Sequence, residues 1–216
     1  MRAAIARRMS DSKHQAPHFY LETEIDMSAA HALVTRLNED TATRVTVTAL
    51  LARAAAVALQ AHPKLNAVWT DRGLERVERV NLGIAVALEE GLIAPALIGA
   101  DSLTVTEIAA ALNDLVSRAR ARRLKALEMT EGTFTLSNLG GFQITRFTAI
   151  ITPPQVAILA TGRTIERAVA VEGQVAVRPV MSATVSADHR AVDGAEVAAF
   201  LQTYKSALET EGSLNG

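Results

Sequence analysis

Residues 180–201, VMSATVSADHRAVDGAEVAAFL, place a strand, a polar loop and an apolar helix end to end with no linker between them. Just upstream, AVAVEGQVAVRPVMSATVSA reads as a hairpin turning at EGQ, its second arm running straight into Asp188, and a terminal helix is expected over Ala195 to Leu208. Before the hairpin lie TFTLS and VAILATG, read as strands, with the glycine loop NLGGFQ following the first; positive φ is expected there at Gly140 or Gly141.

Toward the other end, the basic opening MRAAIARRMSDSKHQ lacks the long apolar run of a targeting segment and is read as a first helix. PHFYLETEID alternates through Phe19 to Ile25 as a half-buried strand does. Ser28 caps a helix through Leu37, and a second helix runs from Thr46 to His62, capped by Thr46 or Thr48 and stopped by Pro63. NAVWT and LERVERV form strands joined by DRG, and EEG separates two apolar strands within NLGIAVALEEGLIAPALI. Thr104 with Glu107 makes a capping box for the long helix TEIAAALNDLVSRARARRLKA. Helices and strands mix without strict alternation, which predicts an α/β fold: a two-layer sandwich, a mixed β-sheet covered by helices, in a single domain over 1–216.

A formal net charge of -1 and 4% aromatic residues give neither the basic patch nor the stacking groups of a nucleic-acid binder. The most apolar segment, LLARAAAVALQAH, is interrupted by Arg53 and too short to span a bilayer, so no membrane partner is expected. With no cysteine, the chain has no disulfide and no thiol nucleophile of its own.

Among five histidines, His14, His31 and His62 read as surface residues and His18 as structural. His189 differs, because it follows a long strand on a loop, where a rigid scaffold can hold a base of near-neutral pKa. Asp188, His189 and Asp193 also make a conceivable metal set, but no HExxH and no second histidine at helical spacing accompanies them, and none is expected. No GxSxG elbow exposes a serine. In the plainest reading Asp193 and Gly194 cap the last helix and His189 is a polar loop residue; spacing alone leaves these readings open. Ser137, at a strand end, offers a hydroxyl to a developing oxyanion.

The segments IARRMSDSKHQAPHFYLETEID, PKLNAVW, NLGIAVALEEGLIAPAL, TFTLSNLGGF, ITPPQVAILATGR and SADHRAVDG, in that order, resemble the catalytic domain of the dihydrolipoamide acyltransferases of 2-oxo acid dehydrogenase complexes, and more widely the chloramphenicol acetyltransferase-like superfamily, whose His-x-x-x-Asp-Gly core is kept as His189, Asp193 and Gly194. The resemblance implies acyl transfer between dihydrolipoamide and coenzyme A, with His189 as general base, Ser137 as oxyanion donor and Asp193 organising the loop through a salt bridge to an arginine, Arg7 or Arg8. It implies coenzyme A contacts at Ser137, Asn138, Gly162, Arg36 and Thr46. Ala87 and Leu88 depart from the polar or acidic residue frequent in relatives. SNLGG, in place of a threonine-asparagine-double-glycine loop, favours acetyl or branched-chain acyl over succinyl.

The resemblance further implies a homotrimer able to build a cubic or dodecahedral core, with active sites between subunits. Its partners would be lipoyl domains and dehydrogenase components, in the bacterial cytoplasm or the mitochondrial matrix. The lipoyl group would come from a separate domain, since the lipoyl and subunit-binding domains that usually precede this one are not in these 216 residues. A non-catalytic assembly core and a stand-alone acyltransferase for small alcohols or amines would keep the same fold.

Overall fold

The computed structural model describes residues 2–40, 43–89 and 91–214; Glu90 of the EEG turn and the last two residues of the GSLNG tail lie outside them. The first part of the chain forms α1 (Arg2–Gln15), β1 (His18–Asp26), α2 (Ser28–Asp40), α3 (Val47–Ala61), β2 (Ala67–Thr70) and β3 (Gly73–Arg76). Four short strands follow, β4 (Leu82–Ile84), β5 (Val86–Leu88), β6 (Gly91–Ile93) and β7 (Ala96–Leu97), then α4 (Val105–Arg120) and α5 (Ala126–Thr130). The chain continues through β8 (Phe134–Asn138), β9 (Ala157–Thr161), β10 (Ile165–Val171), β11 (Gln174–Asp188) and α6 (Gly194–Glu209).

The main sheet has the order β1-β11-β9-β8-β4-β7, with β10 added to β11. It is mixed as expected: β8 runs parallel to β9 and β4, and the remaining pairs are antiparallel. Along MSATVSAD, Met181, Ala183, Val185 and Ala187 are buried in the core with α3 and α6, while Ser182, Thr184, Ser186 and Asp188 take the other face. The same alternation sends Phe134 and Leu136 of β8 into the core and Thr135 and Ser137 to the other side. The sheet therefore has an apolar face under α3, α4 and α6 and a hydroxyl-bearing face, over which α1 and the segment 147–155 lie. Ser12 of α1 ties the two together, its Oγ donating to the Ile151 carbonyl at 2.7 Å.

Local chemistry accounts for most boundaries. Thr46 is the N-cap of α3, accepting from the Ala49 N–H, and Thr104 with Glu107 closes a capping box on α4. The hairpin of β10 and β11 turns at Glu172 and Gly173, both at positive φ. Several expectations are corrected. NLGIAVALEEGLIAPALI makes four strands instead of two, because β5 and β6 peel away as a separate hairpin while β4 and β7 stay in the main sheet. The long helix ends at Arg120, since Arg122 adopts a positive φ that breaks it, and α5 begins anew at Ala126. Gly140 and Gly141 lie in a 3-10 turn without positive φ; Gln143 takes that conformation, its side chain accepting from the Arg163 guanidinium. His62 is half-buried instead of at the surface, with Nε2 2.8 Å from Thr203 Oγ1, and burial lowers its pKa.

Candidate active site

His189 follows the last residue of β11 and is exposed. Its N–H donates to the Pro17 carbonyl at 3.0 Å, and its ring lies against Phe19 with centroids 4.6 Å apart. Phe19 packs on the helix-covered core, so the imidazole belongs to that side of the sheet. Neither ring nitrogen has a hydrogen-bond partner among the described residues. On either side of it, Asp188 and Arg190 join in an ion pair: the buried Asp188 carboxylate accepts from Arg190 Nε at 3.0 Å and Nη2 at 2.6 Å. That pairing raises the Arg190 pKa, and its guanidinium lies 4.7 Å from the Trp69 ring centroid.

Asp193 does not form the expected ion pair; among the described residues no arginine bridges it. Its carboxylate instead caps α6, accepting from the Glu196 N–H at 3.0 Å while Glu196 accepts from the Asp193 N–H. Of the two arginine candidates, Arg8 donates to the Pro153 carbonyl. Lys64 pairs with Glu196 and, with the capping N–H, holds its carboxyl below the usual range. The loop is therefore organised by a helix cap behind His189 and an aspartate-arginine pair around it.

Ser137 is 9% exposed and opens into a cavity of about 590 Å³ on the hydroxyl-bearing face, lined by Met9, Ala94, Phe147 and Ile150 among others. Ser137 is level with Ala160, and Ala160 with Thr184. His189 is thus two strands away and five residues further along, a separation of about 20 Å from strand spacing and rise. One chain does not bring the two together.

The expected coenzyme A residues divide in the same way. Asn138 is adjacent to Ser137 on a strand and so points to the opposite face, where it lines a cavity of about 420 Å³ with Thr48, Gly141 and Gly162. Its Nδ2 donates to Thr48 Oγ1 at 3.1 Å and its Oδ1 accepts from the Gly140 N–H at 2.8 Å. A Cβ on Gly162 would meet the Thr145 carbonyl oxygen at 1.9 Å, so only glycine fits. Thr46 lines an adjoining cavity of about 410 Å³ that shares Thr48 and reaches Arg120. Arg120 in turn borders a third, of about 740 Å³, lined by Ala87, Leu88 and Met129. Thr48 and Arg120 thus link three cavities, the last of which shares Ile93 and Met129 with the Ser137 cavity, and sequence reading names neither as a binding residue. Arg36, on α2, is apart from these cavities and 3.8 Å from Glu211. Among the described residues no cluster of histidine, aspartate and glutamate could hold a metal. No described helix is long and apolar enough to cross a membrane.

Residues 1–214 match the family described as 2-oxoacid dehydrogenases acyltransferase (catalytic domain). The chain is 36% identical over 214 residues to the dihydrolipoyllysine-residue acetyltransferase component of the pyruvate dehydrogenase complex of Rickettsia felis, covering 97% of this chain and 52% of that protein. The corresponding mitochondrial component of Schizosaccharomyces pombe is 39% identical, with 97% and 44% covered. The chain thus spans about half the length of the curated relatives it matches. A crystal structure of a probable dihydrolipoamide acetyltransferase from Listeria monocytogenes superposes with a TM-score of 0.92 at 31% identity, covering 100% and 94% of the two chains. The cubic core of a pyruvate dehydrogenase multienzyme complex gives 0.91 at 28%, covering 96% and 88%. Chloramphenicol acetyltransferase, at 15% identity and a TM-score of 0.64 over 94% of each chain, shares the fold.

Proposed function

Because the chain belongs to the family of 2-oxoacid dehydrogenase acyltransferase catalytic domains, we propose that it transfers an acyl group between dihydrolipoamide and coenzyme A. Acetyl is the favoured group: the relatives are acetyltransferases by name, and SNLGG argues against succinyl.

His189 takes the proton from the attacking thiol, and the thiolate adds to the thioester carbonyl. The tetrahedral oxyanion accepts a hydrogen bond from Ser137 Oγ, and its collapse expels the second thiolate, which recovers the proton from the imidazolium. The observation that carries this reading is the exposed imidazole at the end of β11, with neither nitrogen engaged by another described residue and held against Phe19 and Pro17. A base so placed is free for a substrate thiol.

Since Ser137 is about 20 Å from His189 in one chain, the working site pairs His189 of one subunit with the partner subunit's Ser137, as a ring of three copies would allow. The three linked cavities are the proposed bed for coenzyme A, with Asn138 and Gly162 at one end, Thr46 in the middle and Arg120 near the far end; Arg36 has no place in it. The trimers build a larger core, served by lipoyl domains and dehydrogenase components outside this segment, in the bacterial cytoplasm or the mitochondrial matrix.

The test is acyl transfer from acetyl-coenzyme A to dihydrolipoamide, with His189→Ala expected to lose about a hundredfold or more while circular dichroism stays unchanged. A parent chain that assembles yet transfers nothing makes this a non-catalytic core. Transfer only to alcohols or amines makes it a stand-alone enzyme.

A further inference from the structure

We propose that Trp69 and Arg190 are positioning residues for His189: the indole holds the Asp188–Arg190 ion pair closed, and the closed pair fixes the side of the strand end from which the imidazole projects. This rests on the reading of His189 as the base.

Asp188 ends β11, and residues 189–191 form a turn in which the Ala191 N–H donates to the Asp188 carbonyl at 3.0 Å. Asp188 and Arg190 are joined to each other through two guanidinium bonds, and the Asp188 carboxylate also accepts from the Arg190 N–H at 3.0 Å. This closes a small ring of atoms around His189 and leaves its side chain the opposite side, where Phe19 receives it at 4.6 Å. The Asp188 backbone is fixed as well, its N–H donating to Val156 and its carbonyl accepting from Ala191 and Val192.

An arginine whose side chain is 34% exposed would exchange such bonds with water unless something covered it. Trp69 supplies the cover, half-buried, with its ring centroid 4.7 Å from the guanidinium carbon. The strand that carries the indole is itself anchored, because the Trp69 backbone N–H donates to the Pro154 carbonyl at 2.7 Å and Val68 bridges to Gln155. Gln155 is buried and accepts from Thr135, two residues before Ser137 on the same face. The short strand β2, with the indole on one side and its backbone bonds to Pro154 and Gln155 on the other, therefore connects the His189 loop to the wall of the Ser137 cavity. A guanidinium is planar and lies flat on an indole while gripping a carboxylate at its edge, which an ammonium does not do.

The experiment measures kcat and KM for acetyl transfer in the assembled full chain for Trp69→Ala, Trp69→Phe, Arg190→Lys and His189→Ala, with the unfolding midpoint of each. Trp69→Ala and Arg190→Lys should lower kcat by about tenfold to a hundredfold, the cost of a base misplaced by an ångström or less, with both KM values within about twofold of the parent. Trp69→Phe, which keeps an aromatic face, should recover most of the rate. If Trp69→Ala fails to assemble, Arg190→Lys carries the test alone. An inactive His189→Ala beside full rates in Trp69→Ala and Arg190→Lys overturns the clamp and leaves the base in place. Equal loss in Trp69→Ala and Trp69→Phe, or a loss confined to KM, also overturns it. An active His189→Ala overturns the base assignment and the clamp together.

Discussion

Ser137 stands level with Thr184 across β9, on the hydroxyl-bearing face, while His189 lies five residues beyond Thr184 with its ring on the helix-covered side. A reaction that uses both groups must be assembled from two chains.

Complementation follows from that separation. His189→Ala and Ser137→Ala chains, each inactive alone, should regain activity when unfolded and reassembled at equal amounts. At random mixing about a quarter of the interfaces join an intact histidine to an intact serine, so about a quarter of the parental rate is expected. Native mass spectrometry establishes that mixed assemblies have formed. Mixed assemblies as inactive as the parents would mean that each chain completes its own site.

Asp193 acts in the described chain as a helix cap, and the two possible roles separate by substitution. Asparagine caps as well as aspartate, so Asp193→Asn should unfold within a few tenths of a kcal/mol of the parent, whereas Asp193→Ala should lose about 1 kcal/mol. Urea unfolding gives both values. A large loss in the asparagine variant would point to the charge, and thus to an ion pair made only in the assembly.

Gly162 tolerates no side chain. Because a Cβ would lie 1.9 Å from the Thr145 carbonyl oxygen and 2.5 Å from its carbon, Gly162→Ala must push the segment around Ile144 and Thr145 away. The expected cost is about 2 to 3 kcal/mol, with weakened coenzyme A binding measured by calorimetry. Ser182→Ala serves as the control, since its carbonyl accepts from the Gly162 N–H while its side chain lies on the hydroxyl-bearing face.

Acid stability should depend on Glu128. Arg118 grips this buried carboxylate through two bonds of 2.6 and 2.8 Å, and that contact holds its pKa below the ordinary glutamate value of 4.5. A depressed carboxyl pKa stabilises the fold at all pH values above 4.5, and this contribution fades as pH falls below it toward the lowered folded value. Glu128→Gln should therefore be less stable than the parent at neutral pH and show a shallower decline below pH 4.5. Parallel stability-pH curves for the two proteins would contradict this.

Where local chemistry decides, the sequence was readable. Thr104-x-x-Glu107 and the alternation of MSATVSAD each carry their own structural reason, and α4 and β11 formed accordingly. The hairpin at EGQ was legible for the same reason. The β5–β6 hairpin was not, because in IAVALEEGLIAPAL a continuous apolar run hides which residues leave the main sheet. The left-handed backbone falls at Gln143, whose side chain meets Arg163 twenty residues on, and no local signal announces it. Site residues followed the same division. His189 stood out by its place on a loop, but Thr48 beside Asn138 and Trp69 over Arg190 are meetings of distant segments, which one sequence does not display. Within one chain the aspartate of this loop that pairs with an arginine is Asp188, whose partner Arg190 is two residues away, while Asp193 caps α6.

The pairing of β1 with β11 has a consequence for how the chain comes to be folded. His18 through Asp26 hydrogen-bond to residues 180–188, so an edge strand of the sheet must wait for a partner synthesised long after it. Contacts of such sequence separation are slow to form, because a long loop has to close before they return any free energy. Until then β1 is an unpaired edge open to other nascent chains, and the rate of aggregation during synthesis should rise with any change that delays β11. The His189 loop, which leaves β11 and binds Pro17, is set only once this pairing is made, so the imidazole proposed as the base finds its place after β1 and β11 have joined.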